Sequence, residues 1–350
     1  MRILFIKLRH IGDSLLLTPT LVATKRQFPS AEIWVLVRQS CEKILEGCPE
    51  VDRVLVTANP NSLKRNFLDI FRDIELVSLL RKNCFDYVFE LTDSDRARIL
   101  AVCAATKNRC TNIHPTLKFP WMFFFNTIVK KKRYPKHQVI RDYICPREVL
   151  GLPEIPPPLR FADQRMRNWD GLPEGFYAVI HCHTRWRKKT WPTAKWESLI
   201  NELLQFVPNI LLSCGPDDAE ILSASALCSR FGERVRSTAG KTDWAQLAWL
   251  LKRAVFFVGV DTAAMHLAAA SNCPTVCLFG PSPVFEYHPW NVRHWVVCPQ
   301  SWMAQEDLKQ ISEDKLMDQI PIDRVLQCCR EAWSFGLDRL NQQSPTKLEH

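Results

Sequence analysis

Val258–Ser282 reads VGVDTAAMHLAAASNCPTVCLFGPS: an apolar run that stops at Asp261-Thr262, a helix-compatible segment, and a second apolar run that closes on Gly280-Pro281. A strand, a tight turn and a helix start in that order place an anionic group at the helix N-terminus. Free backbone N–H groups and the helix dipole both point at it there. Asp261 followed by Thr262 suits a capped start, which leaves the amides of Ala263, Ala264 and Met265 open to the anion. His266 lies one turn in, where its ring either donates to the anion or serves as a satisfied core histidine.

Two further stretches carry reactive groups. The chain opens MRILFIKLRHIGDSLLLTPTL, in which Gly12 permits a sharp turn after a strand and Asp13 falls at or near a helix N-cap. On the residue pattern alone Asp13 is a cap, because aspartate is among the best capping residues. A carboxylate there is charged but weakly basic, and enclosure would oppose that effect. The other stretch, His181–Pro192, reads HCHTRWRKKTWP. His181 and His183 share a strand face, as metal ligands can, but no third ligand accompanies them.

The elements that must hold these groups follow from hydrophobic periodicity. Ile3–Leu8, Glu32–Val37, Arg53–Val56 and Tyr87–Leu91 read as strands, and Ser14–Gln27, Cys41–Glu46, Leu68–Lys82 and Asp95–Ala105 as helices. The second half repeats the scheme. Its strands are Phe176–His181, Ile210–Cys214, Val235–Thr238, Val255–Val260 and Thr275–Phe279; its helices are Ala194–Phe206, Ala219–Phe231, Trp244–Arg253 and Met265–Ser271. Such alternation predicts an α/β protein with parallel sheets. The stiff Ile155–Pro158 segment, IPPP, marks the boundary between domains 1–155 and 156–334. Residues 335–350 are expected to form a tail, ending in a tag remnant at Lys347–His350.

Composition narrows the class. At 350 residues, two domains are expected. Lysine and arginine exceed aspartate and glutamate by 46 − 37 = 9, which suits a polyanionic partner. Fourteen cysteines without a C-x-x-C pair, several inside apolar runs, predict a reducing, cytoplasmic setting with no disulfide or zinc framework. Met1 leads straight into the first strand, so no secretory leader is expected. G-x-G-x-x-G is absent and glycines number eleven, which disfavours a dinucleotide oxidoreductase.

The pattern D-S/T-x-x-x-H-L-A-A-A followed by P-x-x-x-L-F-G resembles the sugar-nucleotide site of the ADP-heptose:lipopolysaccharide heptosyltransferases. The opening G-D-x-L-x-x-T-P is similar to their other signature. The resemblance implies a GT-B fold of two Rossmann-like domains facing a cleft, an N-terminal acceptor domain and a C-terminal ADP-sugar domain. It implies metal- and cofactor-free, inverting transfer of heptose to the lipopolysaccharide inner core, with interdomain closure. Asp13 matches the general base, and Lys189, within a K-x-W-P-like segment, the diphosphate-binding lysine, with Arg185 and Arg187 as reinforcement. The implied donor site takes in Asp261, Thr262, Ala263 and His266. Many members have glycine where this chain has Ala263. Asp218, in a G-P-x-E-like turn, either accepts from the ribose hydroxyls or caps a helix. Lys7, Arg9 and His10, beside Gly12, either meet acceptor phosphates or line a solvated turn. KLRHIGD and Ala263 resemble heptosyltransferase III, with heptosyltransferase I or II, or a GT-B transferase using another nucleotide sugar, as alternatives.

Phe119–Phe125 leads into Lys130–Arg133. An aromatic segment before a polybasic run suits the anionic cytoplasmic face of the inner membrane, where a lipid-anchored acceptor would lie, or else is a buried helix before a solvated loop. Nucleic acid is not expected, since no recognition motif accompanies these residues. A non-catalytic glycan- or lipid A-binding module is the alternative from another class.

Overall fold

Ile3–Ile6 form an unbroken apolar run, fully buried on both faces, as the central strand of a parallel sheet requires. In the computed structural model, which describes residues 1–58, 67–112, 119–129 and 136–343, this run lies in β1 (Arg2–Lys7). It is followed by β2 (Glu32–Arg38), β3 (Arg53–Thr57), β4 (Phe85–Glu90), β5 (Thr106–Asn112) and β6 (Thr127–Val129). All pair in parallel in the order β3-β2-β1-β4-β5-β6, with Ile3 set between Ile33 and Tyr87. These strands belong to the unit Met1–Ala162.

The unit Asp163–His350 repeats the plan. Its strands are β7 (Tyr177–His181), β8 (Asn209–Leu212), β9 (Val235–Ser237), β10 (Phe257–Val260), β11 (Thr275–Leu278) and β12 (His294–Val297), in the parallel order β12-β11-β10-β7-β8-β9. Each sheet therefore reverses its winding once, between β1 and β4 and between β7 and β10. Ligands of open α/β sheets bind beyond the strand ends at that reversal. The core of the second unit gathers Trp191, Trp196, Phe256 and Ile320 against helix Ile322–Gln343.

Several elements depart from the periodicity. The expected helix Ser14–Gln27 is two helices, Ile11–Leu16 and Thr18–Gln27. Pro19 has no N–H to continue the ladder, and the Thr18 hydroxyl donates to Leu15 O instead, at 2.7 Å. Gly12 consequently lies in the first turn of a helix rather than at a sharp turn. Cys41–Glu46 shortens to a 3-10 turn at Glu42–Ile44. The expected tail is helical as far as Gln343, with Leu337 and Leu340 packed on the core. The segment after IPPP stays with the first unit through Arg160, whose N–H donates to Thr18 Oγ1 and whose guanidinium meets Glu50.

Phe119–Phe125 does not form a buried helix. Trp121–Phe123 is a single 3-10 turn, with Phe119 and Phe123 78% and 77% exposed. Lys130–Arg133 and Lys347–His350 fall outside the described residues. None of the fourteen cysteines forms a disulfide; ten are buried and Cys84 is the exposed one. Among the described residues no helix is long and apolar enough to cross a membrane.

Candidate active site

In the first unit, the ends of β1 and β4 are stitched together. Leu8 N–H donates to Thr92 Oγ1 at 2.8 Å, Arg9 Nε to Thr92 O at 3.1 Å, and Leu91 N–H to Ile6 O. Glu90 closes β4 as a fully buried carboxylate that accepts the N–H groups of Thr92 and Asp93, both at 2.8 Å. Burial pushes its carboxyl up to about 7, and the charge of Asp93 adds to that push. Asp93 takes a left-handed backbone, φ 63°, in this turn.

Upon this frame sits helix Ile11–Leu16 with Asp13 at its third position. Asp13 is not the N-cap; His10 is. One oxygen, Oδ2, accepts the His10 N–H at 3.1 Å, while Oδ1 is buried and has no hydrogen-bond partner. The His10 side chain lies outside, its Nδ1 accepting from Arg38 at 2.7 Å. Arg9 is half-buried and tied to Thr92. Neither sequence alternative describes Lys7. Its ammonium is completely buried, 2.7 Å from Asp142 Oδ1 and 3.2 Å from Leu91 O, and so faces neither an acceptor phosphate nor solvent. Gln138 Nε2 donates to the same Asp142 oxygen at 2.8 Å.

In the second unit, the loops after β7 and β10 meet at the winding reversal. Lys189 closes a 3-10 turn, and its ammonium lies 2.6 Å from Asp261 Oδ2 and 5.0 Å from the centre of the Trp186 ring. Helix Ala263–Ala270 has Thr262, not Asp261, at its N-cap, and the Thr262 side chain makes no capping bond. Its first-turn amides are thus left without a side-chain acceptor, the arrangement that receives an oxyanion. Asp261 steadies the lysine rather than capping the helix. His266 is buried in the first turn. Gly259 lets β10 run close to β7, since a Cβ there would lie 2.9 Å from His181 O.

The remaining candidates make other contacts or stand exposed. Arg185 and Arg187 are exposed, and Lys188 pairs with Glu313 at 2.6 Å. Asp218 is exposed in the first turn of helix Asp218–Cys228; the cap is its neighbour Asp217, whose Oδ1 accepts Ala219 N–H, so capping does not explain Asp218. His181 Nδ1 lies 2.9 Å from Ser213 Oγ. Burial, then the charge of His183, pushes the His181 ring down to about 4. No group of three metal-binding side chains occurs among the described residues.

Reasoning from sequence missed Asp142, Glu90, Arg38 and Trp186. For Trp186 a signal existed, an aromatic residue inside a basic loop after a strand. Arg38 meets His10 only once β1 and β2 lie side by side, Asp142 meets Lys7 only once helix Gln138–Leu150 packs onto the sheet, and Glu90 shows its role only as the buried end of β4.

A family model described as glycosyltransferase family 9 (heptosyltransferase) matches residues 74–317. The chain is 26% identical over 333 residues to lipopolysaccharide heptosyltransferase 3 of Escherichia coli K12, covering 91% of this chain and 94% of that protein. It is 25% identical over 285 residues to lipopolysaccharide heptosyltransferase 1 of Pseudomonas aeruginosa, covering 81% and 79%. The solved structure of the E. coli heptosyltransferase WaaC with ADP superposes with a TM-score of 0.77 at 21% identity, covering 95% of this chain and all of that one.

Proposed function

Since the chain belongs to glycosyltransferase family 9, the heptosyltransferases, we propose that it moves L-glycero-D-manno-heptose from ADP-heptose to the inner core of lipopolysaccharide, with inversion. The observation that carries this reading is Lys189, held by Asp261 beside the uncapped start of helix Ala263–Ala270. A diphosphate arriving at these amides displaces Asp261 as the partner of the ammonium. Lys189, His266 and the amides then balance the charge that grows on departing ADP, the part a metal plays elsewhere.

Asp13 takes the proton of an acceptor hydroxyl, and that oxygen attacks the anomeric carbon in line. The bond from that carbon to the β-phosphate oxygen breaks, and its electron pair leaves with ADP. Exclusion of water during this step protects the donor from hydrolysis. Arg9 and His10 border Asp13 on the acceptor side.

For the branch, KLRHIGD, Ala263 and the long match to heptosyltransferase 3 support addition of the side-branch heptose to the second heptose. Heptosyltransferase I or II activity is the alternative. We place the enzyme in the cytoplasm, with Phe119, Met122 and Phe123 as a peripheral contact to the membrane that carries the acceptor. Serine at 119 and 123 should lower co-sedimentation with anionic vesicles, and unchanged sedimentation would remove that contact.

The deciding experiment is ADP release from ADP-heptose with lipopolysaccharides ending at zero, one or two heptoses. Release with the two-heptose acceptor alone supports the branch assignment, and a shorter acceptor reassigns it. Release with none overturns the donor assignment. Asp13→Ala should lower kcat by roughly 10²–10⁴-fold, the usual contribution of a general base.

A further inference from the structure

Asp13 and Lys7 stand six residues apart on either side of one loop, yet the ammonium forms its ion pair with Asp142 and not with Asp13. Lys7 is the one fully buried lysine among the described residues, and both contacts of its ammonium lead elsewhere, to Asp142 Oδ1 and Leu91 O. Asp142 is itself buried and lies on helix Gln138–Leu150. A buried ion pair of this kind is weak evidence for stability, because desolvation consumes most of the Coulombic gain. Meanwhile Asp13 keeps a buried oxygen, Oδ1, with no donor, and holds Oδ2 by a single backbone N–H.

The two carboxylates feel each other: the charge of Asp13 adds to burial in pushing the Asp142 carboxyl up, against the pull of Lys7. The cluster holds two acids and one base: Lys7 and Asp142 are sealed from water, and Asp13 lies at their open side, still 8% exposed. Which acid owns the ammonium therefore matters to the other. If Lys7 paired with Asp13, the ion pair would have to be broken, or its charge left uncompensated, whenever Asp13 took a proton.

We propose that Asp142 is a positioning residue for the transfer reaction: it captures Lys7 and so leaves Asp13 an unpaired carboxylate, free to take the proton of the acceptor hydroxyl. Gln138, bonded to the same oxygen of Asp142, fixes the capturing carboxylate in place. Asp142 touches no substrate in this role and acts only through Lys7. The inference rests on Asp13 being the general base.

The test is a set of variants assayed for ADP release per folded enzyme, with KM taken for both substrates. Asp142→Asn keeps the shape and the acceptor for Gln138 but weakens the hold on Lys7. Its kcat should fall at least about tenfold, the effect of bringing an ammonium onto a carboxylate, with both KM values unchanged. Adding Lys7→Met removes the ammonium, and the double variant should recover wild-type kcat. Unchanged kcat in Asp142→Asn overturns the proposal, as does a double variant no better than the single one. Should Asp142→Asn fail to fold, Gln138→Met, which loosens the carboxylate that holds Lys7, takes its place: a lowered kcat that Lys7→Met restores supports the proposal, and an unchanged kcat overturns it. If Asp13→Ala keeps full activity, the general-base reading has failed instead.

Discussion

Lys7 and Lys189 each face one aspartate at hydrogen-bond distance, 2.7 Å to Asp142 and 2.6 Å to Asp261, and each lies near the winding reversal of its own sheet. They differ in burial. Lys7 is sealed, whereas the Lys189 side chain keeps 19% of its surface and sits against an exposed indole. A sealed pair cannot change partners without exposing a bare charge in a dry interior. A half-open pair can, because an incoming oxyanion replaces the carboxylate as it leaves. The same two side chains therefore make a fixed strut in one unit and an exchangeable clamp in the other.

Breaking the two pairs separately tests this contrast. Lys7→Met strands Asp142 and should cost about 3–5 kcal/mol of stability, the scale for removing one partner of a buried pair, read as the denaturant midpoint. Lys189→Met leaves a buried Asp261 but one that water can reach through the half-open lysine site, and should cost less, about 1–3 kcal/mol. Its kcat/KM for ADP-heptose should instead fall by roughly 10²–10³-fold, the scale for one charge-stabilising donor. A large stability loss at Lys189, or none at Lys7, would erase the distinction.

Acidity separates the units in a second way. Glu90 has its native carboxyl raised from 4.5 to about 7, so the native state holds its proton more tightly than the unfolded chain does. The stability it contributes is complete below about pH 4.5 and is lost as pH rises through 7. His181 is depressed from 6.5 to about 4, so its contribution is present above 6.5 and is lost as pH falls through 4. Each arm should amount to about 3 kcal/mol. Glu90→Gln should flatten the rise-side loss and His181→Asn the fall-side loss, in stability curves taken between pH 4 and 8. If both variants keep the wild-type curve, neither group carries its arm.

The parts of this arrangement that were legible in the sequence are those with local causes. The strand-turn-helix at Asp261–His266 and the alternation of both halves rest on neighbours within a turn or two, whereas the expected turn at Gly12 and cap at Asp13 gave way to a helix that His10 caps. Strand β5, TKNRCTN, has no apolar run and is a strand only because β4 and β6 pair with it. Helix Gln138–Leu150 hides behind an internal Pro146, and with it the Asp142 that meets Lys7 from 135 residues away. Lys7 read as a surface residue because it precedes a polar loop, and nothing local marks a lysine whose counter-ion arrives so late. Asp218 failed as a cap by a single position, since Asp217 offers the same chemistry one residue earlier.

The unequal exposure of the thiols gives the chain a built-in attachment point. Cys84, between helix Phe67–Lys82 and β4, is exposed, while ten of the other cysteines are buried and the last three half-buried. Burial pushes the thiols of Cys182, Cys273, Cys277 and Cys329 up, which starves them of the thiolate that alkylating reagents attack. A maleimide dye at limiting concentration should therefore mark the first unit at Cys84 ahead of every buried site, giving a fluorescent reporter without a cysteine-free background.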